Sequence, residues 1–300
     1  MIEAKEITKS FGKIRAIDNV SLKIEDGKVF GLVGTNGAGK STFLRMASGV
    51  LKPDKGSIEI DGRRVFENPG AKEDFFYISD ETYFFSNATP NVMAQFYSRF
   101  YPNFSMTRFE KLMDDFSLEK KRKINTFSKG MKKQLSVVLG LSAMTKYMFC
   151  DETFDGLDPV MRQGVKSLFA GDIAERGFTP VIASHNLREL EDICDTVGLL
   201  HKGGMLLSED LDSVKGDIHK LHCVLNDESE VEALRKELDI VMEDKKGSLY
   251  TFTVRGNETE IMDKVQAHLP VFAEMLPLSL EEIFISETEV TGYDIKKFIS

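Results

Sequence analysis

Cysteine is scarce in this chain of 300 residues, which holds only Cys150, Cys194 and Cys223. They are too few and too scattered for a disulfide framework or a zinc ligand set, and a reducing compartment suits them. Low-complexity tracts are missing, and no apolar run approaches the ~18–20 residues that span a bilayer. The longest candidates, such as residues 137–143, are short and carry Gly140 and Ser142. The opening residues Met1-Ile2-Glu3-Ala4-Lys5-Glu6 lack a signal-peptide pattern. A surplus of positive charge is also lacking: 39 Lys and Arg face 48 Asp and Glu, a formal net charge of −9. That argues against broad, non-specific nucleic-acid binding, which depends on neutralising phosphates. The expectation is a soluble, cytoplasmic globular protein of one or two folding units.

What the chain does contain is a phosphate-binding pattern. Residues 28–33 read as a short buried strand, Gly34-Thr35-Asn36-Gly37-Ala38-Gly39 as a tight loop, and residues 40–48 as a helix stopped by Gly49. Glycines let such a loop curl until several N–H groups point at phosphate oxygens, and the helix start adds its positive dipole end. Lys40 offers a cation to the β- and γ-phosphates, and Ser41, followed by Thr42, offers a hydroxyl ligand to Mg²⁺. Further on, Tyr147-Met148-Phe149-Cys150-Asp151-Glu152 is an apolar strand ending in two acids. Asp151 suits the Mg²⁺ shell, and Glu152, pointing the other way, suits orienting or deprotonating the attacking water.

Around these motifs the first half alternates strand-like and helix-like segments. Residues 57–60 and 63–65 flank Asp61-Gly62 as a hairpin, and residues 75–78 read as a strand. A helical stretch follows from residue 91 to about 144. There Phe96, Tyr97, Phe100 and Tyr101 make one aromatic face, then Phe109, Leu112, Met113 and Phe116 another. A third helix, after Ser128, places Met131, Leu135, Val138, Leu139 and Ser142 on one side. Strand character returns at residues 147–151 and 179–184, with a helix between them capped by Asp158, opened by Pro159 and ending near Gly177. Beyond residue 211, strands at 219–225, 240–242 and 249–254 and helices at 228–237 and 258–268 suggest a small α+β appendage. His219, His222 and Cys223 invite a metal reading, but on a strand 222 faces away from the other two. The basic run Lys120-Lys121-Arg122-Lys123 reads as a solvated helix end.

Taken in order, these motifs resemble the ATP-binding cassette (ABC) family over roughly residues 1–210. Phe127-Ser128-Lys129-Gly130-Met131 resembles the family's signature segment, and Asp155-Gly156-Leu157-Asp158-Pro159 its D-loop. Ser184-His185 resembles the switch histidine, and Phe11-Gly12 the aromatic that stacks on adenine. The resemblance implies an α/β fold, a P-loop NTPase cassette with a mixed sheet core and antiparallel β and helical subdomains. The cassette would span residues 1–215, with its helical subdomain about 87–145, and residues 216–300 would form the accessory α+β domain. It also implies ATP and Mg²⁺ as ligands. Phe11, residues 34–42 and Ser128, Lys129, Gly130 and Met131 would contact nucleotide, the last four across an interface from a second cassette. Ser41, Asp80 and Asp151 would serve the metal, and Glu152 and His185 catalysis, His185 by contacting the γ-phosphate.

Four departures from the family pattern stand out. Phe127, Lys129 and Met131 alter the signature, Asp80 takes the place of the Q-loop glutamine, Thr153 that of proline, and Phe11 that of tyrosine. None removes a core catalytic group, so an active ATPase is expected. The lone cassette resembles the nucleotide-binding subunit of a bacterial transporter, nearest to antimicrobial-peptide and multidrug exporters. Its partners would be separate transmembrane subunits and a second cassette, identical or not, on the cytoplasmic face of the membrane. The alternative is a soluble ABC ATPase acting on nucleic acid or the ribosome, and a regulatory cassette without catalysis is a third reading. Tyr83, Phe84 and Phe85 are expected to leave at least one ring exposed for a membrane subunit to meet.

Overall fold

The computed structural model describes residues 1–290, which divide into two compact units at Ser208/Glu209. In chain order the first unit contains β1 (Ile2–Phe11), β2 (Ile14–Ile24), β3 (Phe30–Val33), α1 (Lys40–Ala47), β4 (Lys55–Ile60), β5 (Arg63–Arg64) and α2 (Pro69–Lys72). It continues with β6 (Phe75–Ile78), α3 (Pro90–Tyr97), α4 (Met106–Asp115), α5 (Lys129–Ser142), β7 (Tyr147–Asp151) and α6 (Pro159–Arg176). β8 (Thr179–Ser184), α7 (Leu187–Glu191), β9 (Thr196–His201) and the first part of β10 (Gly204–Asp210) complete it.

One sheet runs β10-β9-β3-β8-β7-β6, and its pairings β9/β3, β3/β8, β8/β7 and β7/β6 are parallel. β3, β7 and β8 are buried along their whole length. That is the pattern of parallel strands covered on both faces, and it explains why their sequences are continuous apolar runs. The second sheet, β2-β1-β4-β5, is antiparallel. Asp61 and Gly62 both adopt positive φ in the β4–β5 turn, as a tight two-residue hairpin requires. Ile2, Ile7, Ile17 and Ile60 join Phe30, Phe43 and Tyr147 in one core beneath the two sheets.

The helical segment follows from its caps. Thr89, Ser105 and Ser128 accept hydrogen bonds from Val92, Arg108 and Met131 N–H at the starts of α3, α4 and α5. α3 stops at Tyr97, so Phe100 and Tyr101 stand in the following turn rather than on the helix. The aromatic face survives that break, with Phe96 and Phe100 rings 4.8 Å apart. α5 differs from the one-sided expectation: residues 135–142 are buried all round, Val137 and Leu141 included. α6 runs from Pro159, capped by Asp158, to Gly177 in the left-handed conformation, as predicted. In the basic run, Lys120 pairs with Asp114 at 2.8 Å and Arg122 Nε donates to Thr126 Oγ1 at 2.9 Å.

The second unit starts ahead of the expected 215/216 boundary because α8 (Leu211–Asp217) packs against β11 (Ile218–Val224). It continues with α9 (Glu228–Glu237), β12 (Asp239–Lys246), β13 (Leu249–Arg255), α10 (Glu258–Ala267), β14 (Phe272–Pro277) and α11 (Leu280–Val290). The antiparallel order β12-β13-β11-β14 with α9 and α10 as crossovers is the split βαβ, ferredoxin-like arrangement. Val231 and Leu234 of α9 and Ile261 and Val265 of α10 cover Leu221, Cys223, Phe252 and Val254. Cys223 is therefore a core residue. His222 faces Thr251 and Glu274 on the other side of the sheet, and no metal-holding group among the described residues includes these side chains. Phe252 is fully buried and stacks on Tyr250 at 5.6 Å. Phe252→Ala should therefore destabilise this unit by about 3–5 kcal/mol, read as an earlier midpoint in urea unfolding. An unshifted midpoint would contradict this core assignment.

Candidate functional site

The site begins where β3 ends. Gly34 passes so close to β9 that a Cβ there would lie 2.5 Å from the Leu200 carbonyl oxygen. Gly39 has φ +110° and is pressed on Ala16, whose carbonyl oxygen would sit 2.4 Å from an added Cβ. Gly37 is left-handed as well, at φ +82°. Gly34 is thus demanded by close approach, Gly37 by backbone conformation, and Gly39 by both. Lys40 opens α1 with its side chain only 5% exposed, and its amine donates to the Gly34 carbonyl at 2.7 Å and the Thr35 carbonyl at 3.3 Å. The same amine lies 3.3 Å from Glu152 Oε1.

Ser41 and Asp151 meet across the sheet, the Ser41 hydroxyl donating to Asp151 Oδ1 at 2.9 Å. Tyr77 OH donates to the other oxygen at 3.4 Å. Burial raises the Asp151 carboxyl above the usual range, and the Ser41 hydrogen bond opposes that only in part. A buried acid short of positive charge beside a hydroxyl oxygen is a hard-oxygen donor pair, and it fits Mg²⁺.

Glu152 follows at the strand end in the left-handed region, φ +46°. Burial alone would raise its carboxyl. The hydrogen bond with His185 and the Lys40 charge outweigh burial and hold it below the usual range. His185 Nδ1 is 2.9 Å from Glu152 Oε2 and 3.5 Å from Asp155 Oδ2. Burial, and then the neighbouring Glu152, push Asp155 up to about 6. The result is a linked Lys40–Glu152–His185 group in which Glu152 is held below and Asp155 above the usual carboxylate range.

One open cleft of about 500 Å³ collects most of the predicted residues: Phe11, residues 35–42, Asp80, Glu152 and His185. Gly34 and Asp151 connect to it through Lys40 and Ser41. Phe11 presents its ring half-exposed, with Lys9 Nζ 5.8 Å from the centroid. Ala16 and Asp155 also line the cleft. Ala16 carries no chemical signal in sequence; Asp155 sits in the D-loop segment, where its charge is the only clue. Ser128, Lys129, Gly130 and Met131 do not line this cleft. They cap α5, with Ser128 and Lys129 exposed, and an added Cβ on Gly130 would meet the Gly156 carbonyl oxygen at 3.1 Å. Gly130 therefore serves approach to the neighbouring D-loop backbone within the chain. No metal-holding group among the described residues other than Glu152, Asp155 and His185 stands out.

Comparison with known proteins bears on the fold and the family. The "ABC transporter" family model matches residues 17–155. The ABC transporter ATP-binding protein YtrB of Bacillus subtilis (strain 168) is 32% identical over 287 residues, spanning 96% of this chain and 98% of YtrB. The bacitracin transport ATP-binding protein BcrA of Bacillus licheniformis is 29% identical over 79% of each chain. A solved structure described as the ATP-binding subunit of an ABC transporter superposes with a TM-score of 0.66 at 25% identity, covering 72% of this chain and 92% of that one. With a fold of this type, and with the 34–42 loop, Glu152 and His185 brought together at one cleft, the chain belongs to the ABC transporter family as an ATP-binding, ATP-hydrolysing subunit.

Proposed function

We propose that MgATP is hydrolysed in the cleft between the 34–42 loop and Glu152, and that the energy drives export of a small antimicrobial or drug-like compound through separate membrane subunits. The observation that carries this reading is the Lys40 amine lying 3.3 Å from Glu152, which unites phosphate grip and base in one site. The loop's N–H groups and Lys40 would bind and orient the terminal phosphates. Glu152, kept ionised, takes the proton of the attacking water as the new bond to the γ-phosphorus forms and the bond to the β-phosphate oxygen breaks. His185 steers Glu152 through the 2.9 Å contact and, by its half-exposed ring, reaches the γ-phosphate. Ser41 and Asp151 would hold Mg²⁺, which neutralises phosphate charge when bound. Asp80 belongs to the same wall.

ABC ATP-binding subunits work with transmembrane subunits. For this chain the export direction draws on relatives such as the bacitracin transport protein, and a station on the cytoplasmic face draws on the same family logic. No helix among the described residues is long and apolar enough to cross a membrane itself. A pair of cassettes closing head to tail is supported by the outward position of Ser128 and Lys129 and by Val160, 75% exposed beside the D-loop. Membrane-subunit docking is supported by Tyr83, 76% exposed, and Phe85, 40% exposed, whose rings adjoin each other, with Phe85 in turn against Phe96. A groove of about 440 Å³ lies along Phe96, Tyr97, Phe100 and Tyr101.

Glu152→Gln should lower steady-state phosphate release by about 100-fold or more while leaving MgATP affinity within a few-fold. Turnover that persists would contradict the base assignment. Tyr83→Ser combined with Phe85→Ser should leave the isolated subunit's ATPase unchanged and reduce its co-purification with the membrane subunits from native membranes; full co-purification would move the docking surface elsewhere.

A further inference from the structure

Glu152 is an L-residue in left-handed backbone, and such a conformation persists only where its surroundings hold it. Both of its backbone polar groups are tied. Its N–H donates to the Ala183 carbonyl of β8 at 2.9 Å. Its carbonyl accepts from Lys133 Nζ at 2.5 Å. Lys133 lies in the second turn of α5 with its side chain 15% exposed, and the same amine is 3.6 Å from Asp80 Oδ1. One cation thus spans α5, the end of β7 and the loop after β6. A charged donor on a carbonyl is a stronger tether than a neutral one, and Asp80 supplies the countercharge that keeps the amine in place.

We propose that Lys133 is a positioning residue for ATP hydrolysis: it clamps the Glu152 carbonyl so that the carboxylate stays aimed into the cleft, with Asp80 anchoring the clamp. The inference rests on the reading of Glu152 as the base. It gives Asp80 a second task besides the metal shell. It also ties α5, the helix that starts at Ser128, to the geometry of the base, so that a shift of α5 against β7 is transmitted to Glu152.

The test uses the full chain with Lys133→Met, Lys133→Arg, Asp80→Asn, the Asp80→Asn/Lys133→Met double variant and Glu152→Gln. Steady-state kinetics, MgATP calorimetry and thermal unfolding are the readouts. Lys133→Met should lower kcat by about 10- to 100-fold with KM and MgATP affinity within about threefold, the mark of an interaction used in turnover rather than in binding. Lys133→Arg, which keeps a charged donor, should recover most of that loss. The double variant should lose less kcat than the product of the two single losses, because the two changes share one contact, whereas full multiplicativity would contradict the anchoring role of Asp80. If Lys133→Met does not fold, Lys133→Gln takes its place with the same expectation. A Lys133 variant within about twofold of wild-type kcat while Glu152→Gln is inactive would overturn the clamp and leave the base assignment standing. Equal losses in affinity and kcat would also overturn it, by making Lys133 a binding residue. Turnover surviving Glu152→Gln would overturn the base assignment and the clamp with it.

Discussion

Everything in the cleft depends on how tightly the backbone from Gly34 to Gly39 is bent. With Gly39 at φ +110° against the Ala16 carbonyl and Gly34 against the Leu200 carbonyl, the loop has no room for side chains at these turns. It leads straight into the start of α1, where the helix dipole adds positive potential. The Lys40 amine completes the cradle, held by two of the loop's own carbonyls. The parallel strands β3, β7 and β8 supply the rigid base, delivering the loop, Asp151 and Glu152, and His185 from adjacent strand ends. Sites at the carboxyl ends of parallel strands are a general property of such sheets.

The electrostatics follow from that arrangement. Asp151 and Glu152 are consecutive acids with opposite shifts. Asp151 is buried beside a hydroxyl and rises, whereas Glu152 meets Lys40 and His185 and falls. Environment thus separates two carboxylates, the division that a proposed cation ligand and a proposed ionised base need to do different work at one pH. Asp155 sits higher still, at about 6, because burial and the Glu152 charge both resist its ionisation. Lys133 contributes from another side, through backbone rather than charge on the carboxylate.

Much of this was legible in the sequence. The strand–loop–helix around Lys40, the hairpin at Asp61-Gly62 and α6 between Asp158 and Gly177 carry punctuation that specifies them locally. Other elements were hidden. β1 and β2 gave no strand signal because their alternation is broken by register shifts and by left-handed Glu6 and Asn19. β9 contains Gly198, needed because a Cβ there would lie 2.7 Å from the Phe30 ring. β12 was expected at 240–242 and extends to Lys246, since its charged half is carried by pairing with β13 rather than by apolar pattern. β14 is an edge strand with half-exposed side chains. Within the site, the ordered motifs announced the phosphate loop and the acids. Lys133 had no such signal: its partners Glu152 and Asp80 are brought to it by packing of α5 alone.

The most direct test of the central claim is calorimetric titration of MgATP into the wild-type chain and into Gly39→Val and Lys40→Met, with circular dichroism to verify folding. Saturable binding by the wild type and a loss of at least about tenfold in affinity in each folded variant is the predicted result, a tenfold change being about 1.4 kcal/mol. Wild-type affinity in both variants, or no heat from the wild type, would contradict it.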